Sequence, residues 1–225
     1  MGARSRWGWC RPGPPAVESR RLPVQSTTRR RSSAVQDSSK VRQAGQTADG
    51  PGSGRLSVQA LVEAAVMVAL ATVLSIIVVY RMPQGGSVTP ASMVPLMVLA
   101  LRRGVRVGLL AGVAHGLIQF ALEPFVVHWA QVILDYPLAF GLLGLAGLFP
   151  RQPYVGVAVG IAGRFVSHVV SGAIFFASYA PAGTNPWVYS MVYNGSYLGP
   201  ELVLSLAVIL LLSTGTRGQV VRRVA

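Results

Sequence analysis

From Leu56 onward, long apolar runs alternate with short clusters of Gly, Pro and Arg. Six runs stand out, at 58–80, 91–101, 107–122, 129–149, 154–178 and 195–213. A helix needs about 20 apolar residues to cross a bilayer, and fewer where protein covers part of it. Backbone polar groups in lipid have to be satisfied internally, so each run predicts a helix. The expected fold is an all-α integral membrane protein with six transmembrane helices. The second is short and is entered through a Gly- and Pro-rich loop.

Arginine placement orients the set. Arg102, Arg103 and Arg106 separate the second and third runs, Arg151 the fourth and fifth, and Arg217, Arg222 and Arg223 follow the sixth. If six helices alternate, all of these lie on one side with the basic N-terminus. Positive residues mark the cytoplasmic side, so both termini are expected there. Arg81 falls on the outer side and Arg164 inside a helix. The outer loops are then 81–90, 123–128 and 179–194. The third is long for a compact bundle, and long ordered loops are often functional.

Composition sharpens this division. The chain is 52% hydrophobic and 12% charged, whereas an average soluble domain carries about 25% charged residues. A net charge of +13 would suggest nucleic acid if it were spread evenly. Residues 1–55 instead hold 11 of the 20 basic and 3 of the 7 acidic residues, leaving +8 there and +5 beyond. That Arg-, Ser- and Pro-rich stretch has too little apolar content to order itself. It reads as a disordered basic extension ahead of a membrane domain at 56–225, and no nucleic-acid partner is expected. The single cysteine, Cys10, excludes an internal disulfide and a thiol-rich metal site.

Ionisable residues inside apolar runs carry the candidate chemistry, because they are costly in lipid and face the bundle interior or a cavity. Asp135 forms an i, i+3, i+7 set with His128 and Gln131, hence one helix face. His115 and Gln119 share a face, as do Arg164 and His168, continued by Ser171 and Phe175. Asn194, Ser196 and Glu201 sit near the outer end of the sixth run. Several of these have plainer roles open to them. His115 and His168 could be hydrogen-bonded packing residues, Arg164 an inner partner, Glu201 a structural hydrogen bond, and Glu63 a residue reaching the interface. Asp135 has no such structural excuse. The aromatics Tyr136, Phe175, Phe176, Tyr179, Trp187, Tyr189, Tyr193 and Tyr197 form either an interfacial belt or a box for a planar or cationic ligand.

Seven stretches together resemble a known family. They are LVEAAVMVAL from Leu61, MPQGGSV from Met82, LRRG from Leu101, QVILDYP from Gln131, RFVSHVVSGAIFF from Arg164, YAP from Tyr179 and YSMVYNG from Tyr189. In this order, over residues 58 to about 213, they are similar to the thiamine-specific substrate-binding subunits of energy-coupling factor transporters. The resemblance implies a six-helix protein that binds thiamine at its outer face and does no chemistry on it. No catalytic residue, metal or cofactor is implied. The family's aminopyrimidine-binding carboxylate maps to Asp135, followed by Tyr136, and its helix-five histidine to His168. Its Tyr and Asn after the last outer loop map to Tyr189 and Asn194, and a stacking aromatic to Phe176. A wall residue that is Trp in some members falls at His115. Another Trp, in the first outer loop, aligns near Gly86, so backbone and Gln84 are expected to close the pocket here. The helix-one pair that docks on the transmembrane coupling subunit maps to Ala65 and Ala69.

The implied partners are thiamine, the bilayer, and a module of one coupling subunit and two ATPases. The sequence has no G-x-x-x-x-G-K-[ST] loop of its own, so ATP hydrolysis would fall to a partner. Three other readings stay open. One is a stand-alone carrier using Asp135 and His168 as a proton relay. Another is a binding subunit for a related heterocycle such as a thiamine precursor. The third is an intramembrane metal enzyme built on His115, His128, His168, Asp135 and Glu123, although no H-E-x-x-H pair exists.

Overall fold

The computed structural model describes residues 56–215, together with the isolated Gly13. The expected disordered extension at 1–55 therefore lies outside the described residues, as do Arg217, Arg222 and Arg223. The described part is helical except for one two-strand ladder. Its elements are α1 (Val58–Ile76), β1 (Tyr80–Arg81), β2 (Ser87–Val88), α2 (Val94–Arg103), α3 (Val105–Leu122), α4 (Trp129–Leu148), α5 (Pro153–Phe175) and α6 (Pro186–Gly215). Five of the described helices are long and apolar enough to cross a membrane; α2 is not.

The ten-residue α2 is instead the centre of the molecule. Every residue from Val94 to Leu101 is buried, and Leu96, Met97, Leu99, Ala100 and Leu101 have no exposed surface. A helix apolar all round has no solvent face to offer, so it is enclosed; α1, α3, α5, α6 and the end of α4 pack around it. Arg102 and Arg103 terminate it. Both donate through Nε to Glu63 of α1, each at 2.6 Å. Glu63 is thus a bridge between two helices, rather than a residue simply reaching the interface. Only Gly104 separates α2 from α3. Its φ of 88° and ψ of 173° suit glycine and would strain an L-residue.

α1 starts on a Ser57 cap, with Ala60 N donating to Ser57 Oγ at 3.2 Å. It stops at Ile76, before the expected residue 80, because the chain turns into the β1–β2 hairpin. In that hairpin Tyr80 pairs with Val88 and Arg81 with Ser87. α1 buries only Ala60 and Ala71, and exposes Leu61, Val62, Val66, Leu70 and Val73. Ala65 and Ala69 lie on that exposed face.

The contact between α3 and α4 rests on a glycine stripe that the sequence reading did not use. Gly108, Gly112 and Gly116 recur every fourth residue, and a Cβ on each would meet backbone of α4, at Gly144, Phe140 and Tyr136 respectively. Small residues at this spacing let helix backbones touch. α4 is itself irregular. Leu134–Leu138 form a wider π turn containing Pro137. Ser167 Oγ of α5 donates to Leu134 O at 2.7 Å, a second donor to that carbonyl beside Ala139 N. Asp135 and Tyr136 project from this widened turn.

The last helix begins earlier than its apolar run indicates, at Pro186 and not at residue 195. Proline favours the first helical turn, and Asn185 Oδ1 accepts from Trp187 N at 2.9 Å, a cap in both position and chemistry. The expected outer loop at 179–194 shrinks accordingly, and Tyr189 and Asn194 belong to α6.

Candidate ligand cavity

A cavity of about 150 Å³ is lined by the hairpin loop, the 123–128 loop, α3, α4, α5 and the first turns of α6. Asp135 is part of its lining. Gln131 Nε2 donates to Asp135 Oδ2 at 2.8 Å, and His168 Nδ1 lies 3.0 Å from Oδ1. Arg164 Nε donates to His168 Nε2 at 3.2 Å. Arginine can only donate, so Nε2 is the acceptor and His168 carries its proton on Nδ1, aimed at the carboxylate. The result is a chain of guanidinium, neutral imidazole and carboxylate whose charges cancel. Arg164 is steadied from the other side by Phe140, whose ring centroid lies 4.0 Å from Cζ. A lone carboxylate at this depth would be costly, and these partners are what make it tolerable.

Gln131, 1% exposed, does a second job. It donates to Phe125 O and accepts from Val127 N, so the second outer loop and Asp135 share one side chain. Tyr136 holds the same loop: its hydroxyl donates to Glu123 O at 2.8 Å and accepts from Phe125 N at 2.9 Å. The loop in turn lays Phe125 over Phe176, with ring centroids 5.8 Å apart and planes 19° from parallel. On α6, Asn194 is engaged from both ends. Its amide donates to Ser190 O and His168 O, and its Oδ1 accepts from Tyr197.

The structure thus gathers Asp135, Tyr136, His168, Phe176, Tyr189, Asn194 and Gln84 around one cavity. His115 is not among the lining residues. It is fully buried behind the wall, with Nδ1 on Thr72 Oγ1, Nε2 on Gln119 Nε2 and its ring edge-on to Phe140. The polar group that reaches the cavity there is Gln119, which also donates to Ser75 Oγ of α1. His128 departs from the face expected with Gln131 and Asp135. It precedes α4, where Nδ1 accepts from Ala130 N, and its ring stacks on Phe175 at 5.0 Å. The α5 stripe advances by fours, through Arg164, His168, Gly172 and Phe176, leaving Ser171 and Phe175 off the cavity.

Phe125 and Phe140, which the sequence did not single out, also line the cavity, as do Tyr193 and Tyr197, for which it left belt and ligand box both open. The signal for the two tyrosines was present. Tyr189, Tyr193 and Tyr197 are four apart, which is one helix face once α6 starts at Pro186. Among the described residues no three His, Cys, Asp or Glu side chains come together in a way that could hold a metal ion. The arrangement offers two carboxylates, Asp135 and the Arg81-paired Glu123, aromatic walls, and an acceptor without a donor at Gln84 Oε1. It suits a planar cation that carries hydrogen-bond donors.

Comparison with known proteins points the same way. A family model described as thiamine transporter protein (Thia_YuaJ) matches residues 61–219. The thiamine transporter ThiT of Bacillus subtilis is 38% identical over 171 residues, covering 68% of this chain and 88% of that protein. The ThiT of Lacticaseibacillus paracasei is 33% identical over 142 residues, 54% of this chain and 71% of that protein. The solved structure of ThiT from Listeria monocytogenes superposes with a TM-score of 0.65 at 28% identity, covering 71% of this chain and 96% of that one. The chain belongs to the thiamine transporter protein family, whose members are multi-pass cell-membrane transport proteins and not enzymes.

Proposed function

We propose that this chain binds thiamine in the Asp135 cavity and serves as the substrate-binding subunit of an importer of the energy-coupling factor type. The observation that carries the ligand assignment is the partly buried carboxylate of Asp135, fixed by Gln131 and His168 between aromatic walls. Thiamine brings a cationic thiazolium and an aminopyrimidine with N–H donors. Asp135 accepts from the aminopyrimidine, Phe176 and Tyr189 offer ring faces, and His168 supplies a polar wall. Tyr136 and Asn194 shape the pocket while their own polar groups hold the protein together. Gln84 Oε1 takes a donor from the ligand side.

In this reading the chain crosses the membrane with both termini inside, and α2 is a half-length sixth segment. Glu63, Arg102 and Arg103 then lie at the cytoplasmic end and the hairpin loop at the outer end. Uptake depends on a coupling subunit and two ATPases, docked against α1 at Ala65 and Ala69. Two features support this: those alanines are exposed on the outward face of α1, and the sequence has no phosphate-binding loop.

Calorimetry with purified protein and no ATPase present tests the ligand assignment. Wild type should bind thiamine tightly, and Asp135→Ala should bind about 100-fold more weakly, as loss of a charge-assisted hydrogen bond of about 3 kcal/mol requires. Equal affinity in the two proteins would move the site elsewhere. Absence of thiamine binding by a folded wild type would turn the search to related heterocycles. Thiamine uptake into liposomes by the chain alone, driven by a proton gradient, would favour the stand-alone carrier.

A further inference from the structure

We propose that Tyr193 is a positioning residue that holds the hairpin loop shut over the cavity, with the ring of Tyr197 as the seat on which the loop rests. The inference builds on the thiamine reading for its ligand, but the geometry behind it does not depend on that ligand. Residues 82–89 run along one stripe of α6 formed by Tyr193, Tyr197 and Glu201, each four residues after the last. Gln84 N donates to the Tyr193 hydroxyl at 3.1 Å. Gly86 lies flat on Tyr197, where a Cβ would sit 2.8 Å from both Cδ1 and Cε1. That ring has little freedom to move aside. It is 4% exposed, and its hydroxyl is held by Asn194 Oδ1 at 2.8 Å.

The ties between this loop and the body differ in kind. At its far end Thr89 gives both N–H and Oγ1 to Glu201 Oε1, at 2.5 and 2.7 Å, in a buried setting. A buried carboxylate that loses its donors pays a full desolvation penalty, so this end is a fixed hinge. At the near end Arg81 meets Glu123 at 2.7 Å, but both side chains are more than half exposed, and such a pair contributes little. The bond to Tyr193 lies between them. It is neutral, partly buried and directly over the cavity, so it is the contact that can break and re-form while the hinge stays closed. Tyr193 therefore acts on the ligand through the loop, by slowing its escape.

Two measurements test this together. Amide hydrogen exchange at Gln84, without ligand, reads the bond itself; Tyr193→Phe should speed it while exchange in α2 and α5 is unchanged. Thiamine dissociation, followed by stopped flow, should then be about five-fold faster in Tyr193→Phe, the effect of one neutral hydrogen bond, with association within about two-fold of wild type. Gly86→Ala, which lifts the loop off Tyr197 while leaving the Tyr193 hydroxyl in the protein, should shift both readouts the same way. It serves as the second variant if Tyr193→Phe does not fold. Unchanged exchange at Gln84 would overturn the proposal. So would faster exchange with unchanged dissociation, because the loop would then move without controlling the ligand. If folded wild type binds no thiamine, the ligand reading fails, and the exchange comparison in the two variants still decides whether Tyr193 holds the loop.

Discussion

The central pair of Asp135 and His168 joins two separate physical demands. A carboxylate serves a cationic ligand through its charge, and placing that charge inside a helix bundle costs less when donors surround it. Gln131 and His168 meet the second demand, and Arg164 fixes the histidine tautomer that does so. Asp135→Asn separates charge from hydrogen bonding, since the amide keeps an acceptor and loses the anion. Calorimetry should show affinity for thiamine falling at least about ten-fold. A neutral analogue of the same shape should lose distinctly less; equal losses would mean that the charge plays no part. Asp135 was legible in the sequence because an acid in an apolar run has few other uses. Its dependence on Arg164 was not, because a spacing of four residues gives a shared face without saying which nitrogen meets which. His115 misled for a related reason: it shares a face with Gln119, but the shorter reach of its ring ends in the wall.

Helix existence was the readable part of the element scale, and helix detail was not. Apolar length located the five membrane-length helices, and a shorter run marked α2, but the start of α6 was hidden because its first turns are polar and aromatic. Pro186 after Asn185 was the available signal. The π turn around Pro137 has no comparable signature, since a proline in an apolar run is compatible with several local geometries. The stripe of Gly108, Gly112 and Gly116 could have been read, and it makes a sharp prediction. Gly112→Ala places a methyl against the Phe140 carbonyl, which is backbone and cannot swing away. It should destabilise the protein by about 1–3 kcal/mol. Gly199→Ala on α6 meets nothing within 4 Å, and should be neutral or stabilising by up to about 1 kcal/mol. Thermal unfolding of both variants in one detergent gives the comparison; similar losses would contradict the close approach of α3 and α4.

On the scale of the whole molecule, the cavity and the exposed alanines of α1 are different surfaces, so under the proposed coupling, binding and uptake should separate by mutation. Ala65→Arg with Ala69→Arg should leave thiamine affinity within about two-fold, while ATP-dependent uptake with the partner module falls at least about ten-fold. Loss of both would mean that the α1 face supports the cavity itself. Apolar length made the helical membrane character legible, whereas the central position of α2 required the packing. That position bears on how the protein is made. Ten helical residues reach about 15 Å, half the thickness of the hydrocarbon layer. Offered alone to the insertion machinery, such a segment has too little apolar length to stay in the bilayer. Glu63 on α1, already synthesised, waits with a carboxylate for Arg102 and Arg103, and Gly104 folds the next helix back at once. The middle of this protein is therefore its dependent piece during biogenesis: α2 must be carried in by the neighbours that later enclose it.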